Sequence, residues 1–179
     1  MNSNIKQELK SWAKSIFIAL GVVVVLRTFL FSPYTVEGSS MDPTLHNKEK
    51  VFVNKFNVSN HFERGEIVII KGDSKNYVKR IIGLPGDTIE MKKDQLLING
   101  VLFEETYLTQ KREEAERMGL LLTGDFGPIT VPDDEFFVMG DNRLYSMDSR
   151  NGLGYIQKDR IIGTTEFVYF PFKSIRDVD

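Results

Sequence analysis

With 179 residues the chain has room for one domain or two small ones, and its formal net charge of −2 gives no reason to expect a nucleic-acid partner. Cysteine is absent, which excludes a thiol nucleophile, a thiolate metal site and a disulfide. The two histidines, His46 and His61, stand far from any His-Glu-His spacing, which argues against zinc hydrolysis. No metal or cofactor is expected, and a base for any hydroxyl nucleophile has to be sought among the lysines.

Met1 to Lys14 are polar, with Lys6, Lys10 and Lys14 outnumbering Glu8. An apolar run then carries the chain to Phe31, interrupted by Arg27. Trp12 to Phe31 spans about twenty residues, the length a helix needs to cross a bilayer. Arg27 lies four residues from the end, about 6 Å of helix rise, a distance its side chain can snorkel. A buried core helix would show a polar face, and a cleaved secretory signal would be followed by an Ala-x-Ala site. Neither feature is present. The expectation is a cytoplasmic tail over 1–14 and an uncleaved single-pass anchor over 15–31. The lysines ahead of it place the amino terminus in the cytoplasm and everything after Ser32 outside the cell membrane.

Gly38-Ser39-Ser40-Met41-Asp42-Pro43-Thr44-Leu45 follows closely. Gly38 frees the backbone and Pro43 fixes it, so the loop can hold a hydroxyl in one place. Met41 and Leu45 are expected to bury and to pin the serines against a core. Alone, such a loop is an ordinary surface turn, since serine is inert until a neighbouring base takes its proton.

Short strands come next. Lys50–Asn54 alternates, Arg64-Gly65-Glu66 turns into the buried strand Ile67–Ile70, and Tyr77–Ile82 is closed by Gly83-Leu84-Pro85-Gly86-Asp87. In that last strand Tyr77, Lys79 and Ile81 share one face, while Val78, Arg80 and Ile82 share the other. Either this is an edge strand whose two cations reach water, or Lys79 is desolvated, the usual way to make a lysine a base. Asp87 to Phe103 reads as a hairpin turning at Asn99-Gly100. Leu108–Leu122 reads as a short helix or ordered loop without chemistry. Ile129–Val131, Glu135–Met139, Arg160–Gly163 and Glu166–Phe170 read as four further strands, so the fold beyond the anchor is mainly antiparallel β. Between them, Gly140–Gly152 packs two Asp, two Arg, two Ser and two Asn into one loop. It is either a solvated turn or a hydrogen-bonded scaffold.

Four pieces in this order resemble the bacterial type I signal peptidases: Ser40-Met41-Asp42-Pro43-Thr44, Arg64-Gly65-Glu66-Ile67-Val68, Tyr77 through Asp87, and Gly140-Asp141-Asn142-Arg143 through Ser146, Asp148, Ser149 and Arg150. With the anchor ahead of them, the likeness covers nearly the whole chain. It implies a β catalytic core, residues 32–86 and 129–179, with a smaller β cap inserted over 87–128. It also implies a membrane-bound endopeptidase that cleaves signal peptides from exported preproteins after small residues. Its partners would be preprotein signal peptides, the lipid bilayer and a nearby export machinery. By resemblance Ser40 is the nucleophile and Lys79 its general base. Ser146 would orient the lysine, Asp148 and Arg150 form a supporting salt bridge, and Arg80 and Asp141 support the core. Tyr34, Val36, Leu45 and Val78 would line shallow pockets. Some members supply a second oxyanion donor from a serine two residues before the nucleophile. Gly38 stands there, leaving a backbone group to serve instead. Self-cleaving repressor-type proteases share the chemistry but begin with a helix-turn-helix domain, where this chain has an apolar span. An inactive, anchored β module is the other rival, and a labelled preprotein separates it from an enzyme.

Overall fold

The computed structural model describes residues 3–29, 31–55 and 62–178, with side chains placed over 7–24, 32–55 and 62–178. Helix α1 (Ser3–Phe29) starts well ahead of the apolar run, because no proline or glycine interrupts Ser3–Lys14. It stops before Phe31, which opens strand β1 (Phe31–Thr35) rather than ending the helix. Among the described residues no helix is long and apolar enough to cross a membrane. Residues 25–31 of the expected span, Arg27 included, lie outside the described side chains, as does His61.

Among the described residues eleven more strands follow: β2 (Lys50–Asn54), β3 (Ile67–Ile70), β4 (Tyr77–Gly83), β5 (Thr88–Lys92), β6 (Gln95–Ile98), β7 (Val101–Phe103), β8 (Phe126–Thr130), β9 (Glu135–Met139), β10 (Ile156–Gln157), β11 (Ile161–Phe170) and β12 (Arg176–Asp177). The larger sheet runs β1-β2-β11-β3-β4-β9-β10, with β12 on β11, and the smaller runs β7-β6-β5-β8. All pairings are antiparallel. The mainly β, antiparallel expectation holds.

β3 is buried along its whole length, as its unbroken apolar sequence requires. β4 lies between β3 and β9, so it is no edge strand, and its two cations have no route to water along a free rim. Its alternation is visible in the packing. Val78 joins Val36, Met41, Leu45, Ile67 and Ile69, whereas Ile81 joins Val68, Ile70 and Val138. The smaller sheet rests on the larger through Ile89, Met91, Leu96 and Ile98 against Ile82, Phe137 and Met139. Between β7 and β8 a 3-10 turn, Thr106–Leu108, runs into helix α2 (Thr109–Arg117), anchored by Leu108, Ala115 and Leu122.

Two strand assignments change. The strand expected at Ile129–Val131 begins earlier, because Phe126 already pairs with Met91. Arg160–Gly163 and Glu166–Phe170 are not two strands but one, β11, whose register shifts twice against β2 and once against β3. Gly163 serves close approach: a Cβ there would lie 2.4 Å from the Asn54 carbonyl oxygen.

Candidate active site

β4 delivers Lys79 to the loop that carries Ser40. The lysine is 2% exposed, and its Nζ donates to Ser40 Oγ at 2.7 Å and to the Val78 carbonyl at 2.9 Å. Burial pushes the ammonium down to about 8, against the pull of Asp148 and Asp141, and Lys75 adds to the depression. The Tyr77 ring on the same strand face lies 6.0 Å from Nζ. Ser40 stays partly accessible. A partly open hydroxyl against a dry amine is the arrangement in which a lysine can accept a serine proton.

The Ser40 loop is pinned from below and from the side. Met41 and Leu45 are buried as expected, in one cluster with Val36 and Val78 on which the half-buried Tyr34 packs. The expected pocket residues therefore converge with the buried side chains of the Ser40 loop. From the side, the Asn142 N–H donates to the Ser40 carbonyl at 3.0 Å and its side-chain amide to the Ser39 carbonyl at 2.9 Å. Thr44 Oγ1 donates to Asp141 Oδ2 at 2.5 Å. The Gly38 N–H is engaged by Asn47 Oδ1 at 3.0 Å, so that amide is not an open donor.

The polar loop is a scaffold and not a solvated turn. Arg80 grips both oxygens of Asp141, at 3.0 and 2.7 Å, and donates to the Gly65 carbonyl at 2.7 Å. Arg150 likewise takes both oxygens of Asp148, at 2.9 and 2.8 Å, while the Gly140 N–H donates to that carboxylate at 2.9 Å. Burial alone would raise the Asp148 carboxyl, yet Arg150 and the Gly140 N–H hold it below the ordinary aspartate range. Gly140 is wedged in this scaffold. A Cβ on it would lie 2.2 Å from Ser146 Oγ and 2.4 Å from the Ser40 carbonyl oxygen. The hydrogen bond expected from Ser146 to the lysine is not formed. Ser146 Oγ is buried beside Asp148, close enough to help hold that carboxyl down but without a well-formed hydrogen bond, and the lysine's two bonds run to Ser40 and Val78.

Sequence reasoning missed Glu105, Tyr107 and the role of Arg143. Glu105 and Arg143 form an ion pair whose two side chains are both fully buried. The Tyr107 hydroxyl donates to Glu105 at 2.8 Å, and its ring lies 3.9 Å from the Arg80 guanidinium. The available signal was the i, i+3 spacing of Glu105 and Leu108, which puts the carboxylate on the face of the turn that Leu108 buries.

Residues 9–170 match the family described as signal peptidase, peptidase S26. The chain is 57% identical to a signal peptidase I of Bacillus licheniformis, over 99% of this chain and 97% of that one. It is 53% identical to signal peptidase I S of Bacillus subtilis (strain 168), over 98% and 96%. A crystal structure of a signal peptidase I from Enterococcus faecalis V583 superposes with a TM-score of 0.54 at 33% identity, covering 59% of this chain and 97% of the other.

Proposed function

The chain belongs to the signal peptidase family, peptidase S26, and from that premise we propose that Ser40 is the nucleophile and Lys79 the general base of a membrane-anchored endopeptidase that cleaves signal peptides after small residues. Signal-peptide cleavage by a serine peptidase is the family's reaction. The observation that carries the residue assignment is the 2.7 Å contact between Lys79 Nζ and Ser40 Oγ, made by a lysine held out of water.

In the neutral amine the contact reverses: the serine O–H donates to the nitrogen lone pair, and Oγ attacks the scissile carbonyl as the proton passes to Lys79. The oxyanion forms beside the Ser40 N–H. The new ammonium has three N–H donors and needs acceptors for them. Val78 O supplies one, and the buried Ser146 hydroxyl is assigned as another. Lys79 then returns its proton to the leaving amine, and the neutral Lys79 takes a proton from a water that attacks the acyl carbon, passing it to Ser40 Oγ as the acyl group is released. Asp148–Arg150 and Arg80–Asp141 hold the geometry without touching the reacting atoms. Tyr34, Val36, Leu45 and Val78 form the base of shallow pockets that accept only small side chains next to the cleaved bond.

The finer localisation, a single pass at 15–31 with the cap at 87–128 and the core outside, rests on two features. Trp12, Ile16, Phe17, Leu20, Val22 and Val23 stand exposed along α1. Just beyond the helix, β2 and β11 carry an aromatic cluster, with Phe52 4.9 Å from Phe167 and 4.4 Å from Tyr169, and Phe170, Phe172 and Ile175 are exposed nearby. Both are suited to a lipid surface. The test is incubation of a labelled preprotein with the wild type and with Ser40→Ala. Cleavage only by the wild type is expected, and equal cleavage by both refutes the assignment.

A further inference from the structure

Three arginines and three carboxylates meet around the 140–150 loop in three short pairs, and a fourth arginine, Arg112, reaches Glu105 from the inserted helix at 3.4 Å. Arg80 takes Asp141 and Arg150 takes Asp148, so both carboxylates of the loop are spoken for. Arg143 is left to the inserted segment. Its terminal nitrogens go to Glu105, to Thr123 Oγ1 at 3.2 Å and to the Tyr107 hydroxyl at 3.3 Å. Its Nε turns back and donates to the Gly140 carbonyl at 3.0 Å. Gly140 is the residue wedged between Ser40 and Ser146, its N–H held by Asp148 and its carbonyl by Arg143. The neighbours in sequence, Asp141 and Asn142, bind Arg80, Thr44 and the Ser40 carbonyl. Arg150 also donates to the Arg143 carbonyl at 2.9 Å.

We propose that Glu105, thirty-five residues away in the inserted segment, is a positioning residue for the reaction: it fixes Arg143, which holds the Gly140 carbonyl and with it the backbone against which Ser40 is set. The proposal rests on the Ser40–Lys79 reading. A buried guanidinium deprived of its counter-charge moves toward water, and Arg143 cannot do so without releasing Gly140. The insertion is thus a wall of the catalytic site and not an ornament on the sheet.

The test uses the full chain in detergent with a preprotein substrate, reading kcat, KM, the acid limb of the rate profile and the thermal midpoint. Glu105→Gln is expected to lower kcat by about tenfold to a hundredfold, with KM held within about threefold, because the substrate pocket lies on other residues. Its acid limb is expected to move to higher pH as water reaches Lys79. That amine is faced by Asp141 and Asp148 from the loop, by Lys75 ahead of β4 and by Tyr77 on β4 itself. The double variant Glu105→Leu/Arg143→Met removes both buried charges and is expected to regain the thermal midpoint but not kcat. A double variant that regains both, or a folded Glu105→Gln enzyme with wild-type kcat and acid limb, overturns the proposal. If the charge variants do not fold, Tyr107→Phe decides: it removes one hydroxyl from the cluster, and an unchanged kcat and acid limb overturns the proposal. Ser40→Ala runs alongside, since activity remaining there refutes the Ser/Lys reading instead.

Discussion

Replacing Lys79 by methionine should abolish cleavage and, near neutral pH, make the fold more stable. Burial brings the ammonium from an ordinary 10.5 down to about 8, which costs the folded chain about 3 kcal/mol for carrying the charged form. At 2% exposure, solvent screens little of that cost. Between pH 8 and 10.5 the unfolded chain holds a proton that the folded chain has lost, so stability rises with pH across this window and the whole penalty is present below it. Methionine removes the penalty but also the bonds to Ser40 and Val78, worth about 1 kcal/mol each. The variant should therefore be about 1 kcal/mol more stable than wild type at neutral pH and about 2 kcal/mol less stable above 10.5. Denaturant titrations at the two pH values read this crossover. In wild type, about a tenth of the amine is neutral one unit below its pKa, so kcat/KM should rise about tenfold per pH unit and level off near 8. Lys79→Arg should not restore activity, because guanidinium keeps its proton. An active Lys79→Met enzyme, a flat profile from about pH 5 to 9, or equal destabilisation at both pH values refutes the reasoning.

Three further outcomes are expected. Asp141→Ala leaves the buried Arg80 without its partner and should cost about 3–5 kcal/mol of unfolding free energy; an unchanged denaturation midpoint counts against the clamp. Preproteins with leucine in place of alanine just before the cleaved bond should not be processed, because Val36, Leu45 and Val78 are packed and cannot retreat; equal cleavage of the two substrates sinks the pocket assignment. If 15–31 anchors the chain as proposed, protease added outside intact protoplasts should digest everything after it; protection until lysis reverses the topology.

The repeating, local parts of the fold were legible. β3 announces itself as an uninterrupted apolar run, and β4 by its alternation, with the two cations marking the place to look. The cation faces were legible as well, but whether they were wet was not, since edge or centre depends on which strands arrive from elsewhere in the chain. The break between Gly163 and Glu166 was not real because glycine suits a close backbone contact within a strand as well as a strand end, and only the neighbouring Asn54 carbonyl tells them apart. The Glu105–Arg143 pair was illegible for a different reason. Its members lie 38 residues apart in polar surroundings, where charges normally face water, and burial comes only when the insertion folds down. Ser146 was found in the expected loop, but its missing hydrogen bond could not be read from residue types.

Lys79 and Arg80 are consecutive on a central strand, and that adjacency makes threading errors self-silencing. A slip of one position would bring either Arg80 or Val78 to the place opposite Ser40, and an amine in neither case. Guanidinium does not surrender its proton and valine has no base to offer, so under the Ser40–Lys79 reading a misthreaded chain would be chemically dead. On the proposed dyad, proteolytic competence is expected only in molecules whose sheet has been assembled correctly, so that a newly made copy cannot attack its neighbours while it is still sorting its strands.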